Sequence, residues 1–209
     1  MKALNAAFLA VITLFAHHAA AGPAYCSGSA SDINSHAAAY NGASATDCYG
    51  LSQSNLSGNA LLSYANGDAV LWGGDWSLLA AAGSAGQIAG INFNLDADLG
   101  QRSGHWSLAL SNQPALAPQL PLVMDLLVVM KGGNQQGFWY FAAVSVDGSD
   151  SGSWQSVFAN KQGKQLPVNQ LQLLYRDVHH ASVAVPVPAA FGLAGLLLLG
   201  LGLSRRLRR

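Results

Sequence analysis

The sequence predicts an all-β protein: a two-layer, jelly-roll-like β-sandwich with an amino-terminal signal peptide and a single carboxyl-terminal transmembrane helix. Three observations predict it. Short apolar and β-branched segments alternate with turns rich in Gly, Asn and Asp. All ten acidic residues are Asp, which favours turns, and none is Glu, which favours helices. Each end of the chain carries an apolar run with basic residues beside it.

The first 21 residues have the composition of a secretory signal peptide. A basic start precedes a mostly apolar run over residues 3–16, and small residues follow it. Signal peptidase is expected to cut between Ala21 and Gly22, with Ala19 as the second small residue of the cleavage site. Cleavage after Ala24 is the alternative. The chain is therefore expected to pass through the Sec translocon.

The last 25 residues fall into three parts. A Pro-x-Pro motif comes first, and its two prolines fix φ and lack an N–H, so the chain there is extended. An uncharged run to Leu203 follows; counted from Val183 it has roughly 20 residues, enough to cross a membrane. Four arginines end the chain and predict a cytoplasmic carboxyl terminus. The motif residues are Val185, Pro186, Val187, Pro188 and Ala189, and the arginines are Arg205, Arg206, Arg208 and Arg209.

This order of motif, apolar helix and arginine cluster resembles the PEP-CTERM sorting signals of Gram-negative bacteria, in the VPLPA-type variant. Val187 stands where Glu is usual in that family. The resemblance implies that an exosortase cuts near the Pro-x-Pro motif while the chain is held in the inner membrane. The product would then reach the cell surface or the extracellular medium. A permanent inner-membrane anchor is the alternative.

Residues 22–184, about 160 in number, have the size of one domain. Of the ten cations, Lys2 and the four terminal arginines lie outside this range, so five cations face ten aspartates, a net charge of −5. Nucleic-acid binding needs a basic surface, and this composition argues against it. The apolar fraction of 51% argues against disorder.

Nine segments have strand-like patterns, and residues 22–55 are expected to be an irregular lead-in with one short strand. A β-barrel is the alternative to the sandwich, and a short helix is the alternative at residues 122–130. The nine segments are Asn59–Ala65, Ala69–Trp72, Asp75–Ala81, Gln87–Leu95, His105–Leu110, Leu122–Met130, Gly137–Val146, Gly152–Ala159 and Gln170–Val178.

The only two cysteines of the chain are Cys26 and Cys48. In an exported protein they are expected to form a disulfide, which stabilises the fold by roughly 3 kcal/mol. A metal pair with His36 is the alternative, although the spacing does not match a metal knuckle.

No catalytic signature is present, and no cofactor is expected. Two pairs of aspartates, Asp96 with Asp98 and Asp147 with Asp150, are weak Ca²⁺ candidates, because Ca²⁺ prefers carboxylate oxygens. Such residues more often bond their own turns. His105 is a candidate proton shuttle, but a structural role is favoured because no carboxylate partner can be assigned.

The five tryptophans are the candidate ligand-contacting aromatics, since aromatic rings stack on the C–H faces of sugars. The interpretation as core residues is favoured for each. The five are Trp72, Trp76, Trp106, Trp139 and Trp154.

The middle domain also resembles one that recurs beside this sorting signal. The resemblance rests on the order Trp76-Ser-Leu-Leu, His105-Trp106-Ser-Leu, Leu127-Val-Val-Met-Lys-Gly-Gly133, Gly152-Ser-Trp154 and Gly163-Lys164 through Leu174-Tyr-Arg176. It implies a secreted sandwich of unassigned role, of a kind commonly linked to exopolysaccharide matrix or biofilm surfaces. We therefore expect a non-enzymatic surface or matrix protein, with a carbohydrate-active enzyme as the alternative.

Overall fold

The structure is a computed structural model that describes residues 26–28, 33–111 and 120–181. In these ranges the strands form two six-stranded sheets, so the prediction of an all-β protein with two sheets is confirmed. The predicted signal peptide, sorting motif, transmembrane helix and terminal arginines lie outside the described residues. The described ranges contain no helix with the length and apolarity that a membrane span requires.

The strands are β1 (Ser27–Gly28), β2 (Ala38–Tyr40), β3 (Ala43–Ser44), β4 (Asp47–Leu51), β5 (Ser77–Ala81), β6 (Ser84–Ile88), β7 (Ile91–Ala97), β8 (Ser103–Leu110), β9 (Leu122–Gly132), β10 (Gln135–Val146), β11 (Ser149–Gln155) and β12 (Gln170–His180). The helical elements are α1 (Gly58–Ser63), a π-helical turn (Tyr64–Asp68) and two 3₁₀ turns (Ser35–Ala37 and Leu71–Gly73).

The first sheet has the order β1-β4-β10-β9-β12-β5, and the second sheet has the order β3-β2-β11-β8-β7-β6. Every pairing is antiparallel except that of β1 with β4. The long strands β9, β10 and β12 lie in the middle of the first sheet. The disulfide between Cys26 and Cys48 joins the start of the described chain to β4, which confirms the predicted pairing and excludes a metal pair.

The main core lies between the two sheets. From β9 it receives Met124, Leu126 and Val128, and from β8 it receives Trp106 and Leu108, all almost fully buried. The alternating residues of these strands face away from this core, as the two-residue period of a strand requires.

A second apolar cluster covers the opposite face of the first sheet. Leu127 and Val129 of β9 face this side and pack under residues 56–76, which we call the covering segment. Because β9 is buried on both faces, it is a nearly continuous apolar run. The predicted strand at residues 122–130 is thus confirmed, with burial on both faces.

Two strand predictions, Asn59–Ala65 and Ala69–Trp72, are wrong: within the covering segment the first is helical, and the second runs from a bend into the turn Leu71–Gly73. Leu61 and Ala65, four residues apart, lie on one face of the helical turns and are buried against the sheet. The apolar period of a strand (two residues) and that of a helix (near four) are hard to distinguish in such a short stretch. The helix is the conformation that buries Leu61 and Ala65 together against the sheet.

The predicted strand Gln87–Leu95 is two strands, because the chain reverses at Ala89 and Gly90. Both residues have positive φ, 49° and 83°, as a type I′ hairpin turn requires. The lead-in of residues 22–55, for which one strand was expected, contributes β1, β2, β3 and β4 to the edges of the two sheets. The remaining strand predictions are confirmed with shifted ends.

Two glycines make room for two large indoles in the core. Gly104 pairs with Trp154 across β8 and β11, and Gly152 pairs with Trp106 on the same strands. A Cβ atom at Gly104 would overlap the Trp154 ring, and one at Gly152 would overlap the Trp106 ring. Each indole therefore lies on a glycine of the neighbouring strand.

We expect Gly104→Ala to destabilise the fold by about 2 kcal/mol, because the added methyl forces the Trp154 ring out of its packed position. Urea unfolding measures this change. Gly67→Ala is the matched control, since a Cβ there meets no atom within 4 Å. Equal stability of the two variants would contradict this account of the packing.

Candidate functional site

Asp125 is the one acidic residue of β9, and both strands that flank it are irregular at its position. The register of β10 shifts between Phe141 and Val144, and that of β12 shifts between Arg176 and His179. Bulges of this kind leave backbone groups outside the ladder and bend the strand. The amide of Ala143, in the β10 bulge, donates to Oδ1 of Asp125 at 2.9 Å.

Arg176 of β12 forms an ion pair with Asp125 on the covered face of the first sheet. Its Nη2 and Nε atoms lie 2.9 Å and 3.1 Å from Oδ2 of Asp125, and both side chains are 14% exposed. The hydroxyl of Tyr140 donates to the same carboxylate at 2.7 Å. The guanidinium lies over the rings of Trp76 and Tyr140, at 4.7 Å and 5.7 Å from their centroids. With Trp72, these residues form what we call the Arg176 cluster.

The charges of the Arg176 cluster stabilise one another. Burial alone would raise the pKa of Asp125, but the Ala143 amide, the Tyr140 hydroxyl and the Arg176 guanidinium hold it below its usual range. The pKa of Tyr140 is raised by burial and by its hydrogen bond to the carboxylate. Burial opposes the charge of Arg176, yet the hydrogen bonds to Asp125 and Tyr140 raise its pKa.

The loop of residues 70–75 has an unusual backbone. Val70, Trp72 and Asp75 have φ of 44°, 49° and 62°, in the left-handed region that disfavours residues with a side chain. Each such residue costs roughly 1–3 kcal/mol and persists only where the surrounding structure enforces it. Here Nη1 of Arg176 donates to the carbonyls of Trp72 and Gly74. The ion pair on the sheet thus fixes the loop above it.

Trp72 is fixed at the surface of the Arg176 cluster. Its indole stacks on Tyr140 with ring centroids 5.2 Å apart and planes 16° apart. Its Nε1 donates to Oδ2 of Asp47, on β4, at 2.8 Å. Trp72 is partly exposed, whereas the other four tryptophans are at most 3% exposed. The ligand-contact interpretation is therefore corrected for Trp76, Trp106, Trp139 and Trp154, whose rings fill the interior.

A second region is a groove at one end of the second sheet. It is a cavity of about 510 Å³ whose lining includes Asp98, Ser103, His105 and Ser153. The amide of His105 donates to Oδ2 of Asp98 at 3.0 Å, and Nδ1 of the ring lies 3.9 Å from the same atom. The carboxylate partner of His105 that could not be assigned from the sequence is Asp98. Both side chains are largely exposed, so water screens their interaction.

The four aspartates proposed for Ca²⁺ form hydrogen bonds in turns or lie exposed. Asp150 is buried and accepts hydrogen bonds from the Tyr40 hydroxyl at 2.5 Å and from the amides of Asp147 and Gly148 at 3.1 Å and 3.0 Å. Asp147 accepts from the amide and hydroxyl of Ser149, which lower its pKa. The other two, Asp96 and Asp98, accept from backbone amides near them. The described residues contain no group of three ligand-type side chains able to hold a metal ion.

Sequence reasoning did not identify the Arg176 cluster. Two charged residues within predicted strands could have indicated the cluster: Asp125 in an almost wholly apolar segment and Arg176 in the last strand. Charged residues are seldom buried unless they are paired, so these two were candidate partners. Their register, Arg176 opposite Asp125, appears only in the sheet.

Comparisons of the chain with protein-family models, with curated proteins and with solved structures return no match.

We expect Asp125→Asn to destabilise the fold by about 3 kcal/mol at neutral pH, because it removes the buried counter-ion of Arg176 and leaves only the exposed Asp177 near the guanidinium. The folded-state pKa of Asp125 is lowered, so its contribution is present above the unfolded pKa of about 3.9 and is lost as pH falls through the folded value. The gap in melting temperature between wild type and variant should therefore narrow below about pH 4.

Asp177→Asn is the matched control, since Asp177 lies 3.5 Å from Nε of the same arginine but is 73% exposed. Its effect should stay below about 0.5 kcal/mol. A pH-independent gap for Asp125→Asn, or equal effects of the two variants, would contradict the assignment.

Proposed function

We propose that this chain is an exported, non-enzymatic surface or extracellular-matrix protein that an exosortase sorts and processes, and that it associates with polysaccharide. Its route would use the Sec translocon and signal peptidase, with a transient stay in the inner membrane. The two sheets would form a jelly-roll-like sandwich; the direct connections β5–β6 and β10–β11, which pass from one sheet to the other, support that topology.

The observation that carries the proposal is the position of the three-part carboxyl segment. The last strand, β12, ends at His180, and the Pro-x-Pro motif starts at Val185, so four residues separate the folded sheet from the motif. A fully extended chain of that length reaches about 14 Å. A protease at the membrane surface would thus meet the motif directly beside the folded domain.

The disulfide supports export. Both cysteines of the chain are paired with each other. Disulfides form and persist in the periplasm and outside the cell, whereas the cytosol keeps thiols reduced.

The Arg176 cluster supports a binding rather than a catalytic role. Its carboxylate accepts hydrogen bonds from both the guanidinium and the phenol, so the charges of the cluster are paired within the fold. A carbohydrate-active enzyme is the second candidate, favoured by the His105–Asp98 pair beside its groove. An assay for reducing ends released from neutral polysaccharide separates the two candidates.

We expect the chain isolated from its Gram-negative host to lack the residues after the Pro-x-Pro motif. Replacement of all four terminal arginines, Arg205, Arg206, Arg208 and Arg209, with Ala should leave the unprocessed form predominant, because the basic cluster retains the segment in the membrane. Intact-mass spectrometry of the envelope and medium fractions measures both forms.

Lys161→Ala with Lys164→Ala is the control, since it removes two exposed cations from the folded domain and should not alter processing. A wild-type chain that keeps its four terminal arginines would refute exosortase processing and favour a permanent anchor.

A further inference from the structure

We propose that Trp72 is the contact residue of a binding site for a neutral polysaccharide, with one sugar ring stacked on the exposed face of its indole. This inference rests on the polysaccharide association in the proposed function and assigns it a place in the fold.

The first argument is exposure. All five tryptophans lie within the described residues, and four are core residues. Trp72 alone reaches the surface, and Tyr140 covers one of its two faces in a nearly parallel stack. Because Tyr140 occupies one face, a ligand would contact the other face or the edge of the ring. A flat aromatic face is the surface on which the C–H side of a sugar ring packs.

The second argument is rigidity. The indole N–H of Trp72 donates to Asp47, the ring stacks on Tyr140, and the backbone carbonyl accepts a hydrogen bond from Arg176. A partly exposed indole fixed in this way loses little further conformational freedom when a ligand binds. The left-handed backbone at Trp72 is costly, and strain of this kind concentrates at ligand-contacting sites.

The third argument is charge, which selects a neutral ligand. One carboxylate, Asp47, is bonded to the indole, and a second, Asp75, follows three residues later in the same loop. Asp75 is exposed, and its side chain has no hydrogen bond or ion pair within the described ranges. Carboxylates accept hydrogen bonds from sugar hydroxyls but repel uronates and sulfates.

The nearest cation does not reverse this preference. The donors of Arg176 are bonded to Asp125 and to the carbonyls of the loop, and its faces are covered by Trp76 and Tyr140. An acidic polysaccharide therefore finds no unpaired cation at Trp72 within the Arg176 cluster.

The test is native affinity electrophoresis of the purified chain in gels that contain a neutral polymer (dextran, xylan or a soluble β-glucan) or the acidic polymer alginate. We expect retardation by at least one neutral polymer and none by alginate. Trp72→Ala should weaken the apparent affinity by about tenfold or more, because a stacked aromatic ring supplies a large part of the binding free energy of such an interface.

Val70→Asn is the control. It changes an exposed neighbour to a residue that tolerates positive φ, and should stay within about twofold of wild type.

A second measurement uses only wild type. Acrylamide should quench mainly the fluorescence of Trp72, because the other four indoles are buried, and a saturating neutral polymer should reduce that quenching.

Four outcomes would overturn the proposal. In the gels these are that no neutral polymer retards wild type, that only alginate does, or that folded Trp72→Ala binds like wild type. In the fluorescence measurement it is that quenching is unchanged at saturation. Exosortase processing is measured separately, by intact mass. A correctly processed chain that binds no neutral polymer would refute the Trp72 site without contradicting the sorting proposal.

Discussion

The ion pair between Arg176 and Asp125 is the interaction on which the covered side of the molecule depends. It joins β9 to β12 beside the bulge of β12, and through the carbonyls of Trp72 and Gly74 it ties the covering segment to the first sheet. Without the covering segment, Leu127 and Val129 of β9 would face water. One polar cluster thus fixes the geometry of a mainly apolar layer.

Much of the fold could be predicted because its strands have a clear period or are strongly apolar. β8 alternates cleanly, and β9 is an apolar run interrupted by Asp125. The covering segment could not be predicted, because six residues from Gly58 to Ser63 hold too few apolar positions to separate a helix from a strand. The hairpin at Ala89 was missed because Ala rarely takes the positive φ that its turn requires.

The candidate site was harder to predict than the fold, because it depends on register rather than on local pattern. Asp125 and Arg176 are 51 residues apart in sequence, and only the pairing of β9 with β12 brings them together. The same holds for Trp72 and Tyr140, which come from a loop and a distant strand. The sequence favoured a core role for each tryptophan, and it could not single out Trp72 as the one that is partly exposed.

Native-state hydrogen exchange of Arg176→Lys tests the central role of this ion pair most directly. A lysine can pair with Asp125 but cannot also reach the two loop carbonyls, because it lacks the guanidinium fork. We predict that the amides of Gly73, Gly74 and Trp76, which are bonded within the covering segment, lose about tenfold or more of their protection. The amides of β8 in the second sheet should be unchanged. Equal protection of Gly73, Gly74 and Trp76 in the two proteins would contradict the account.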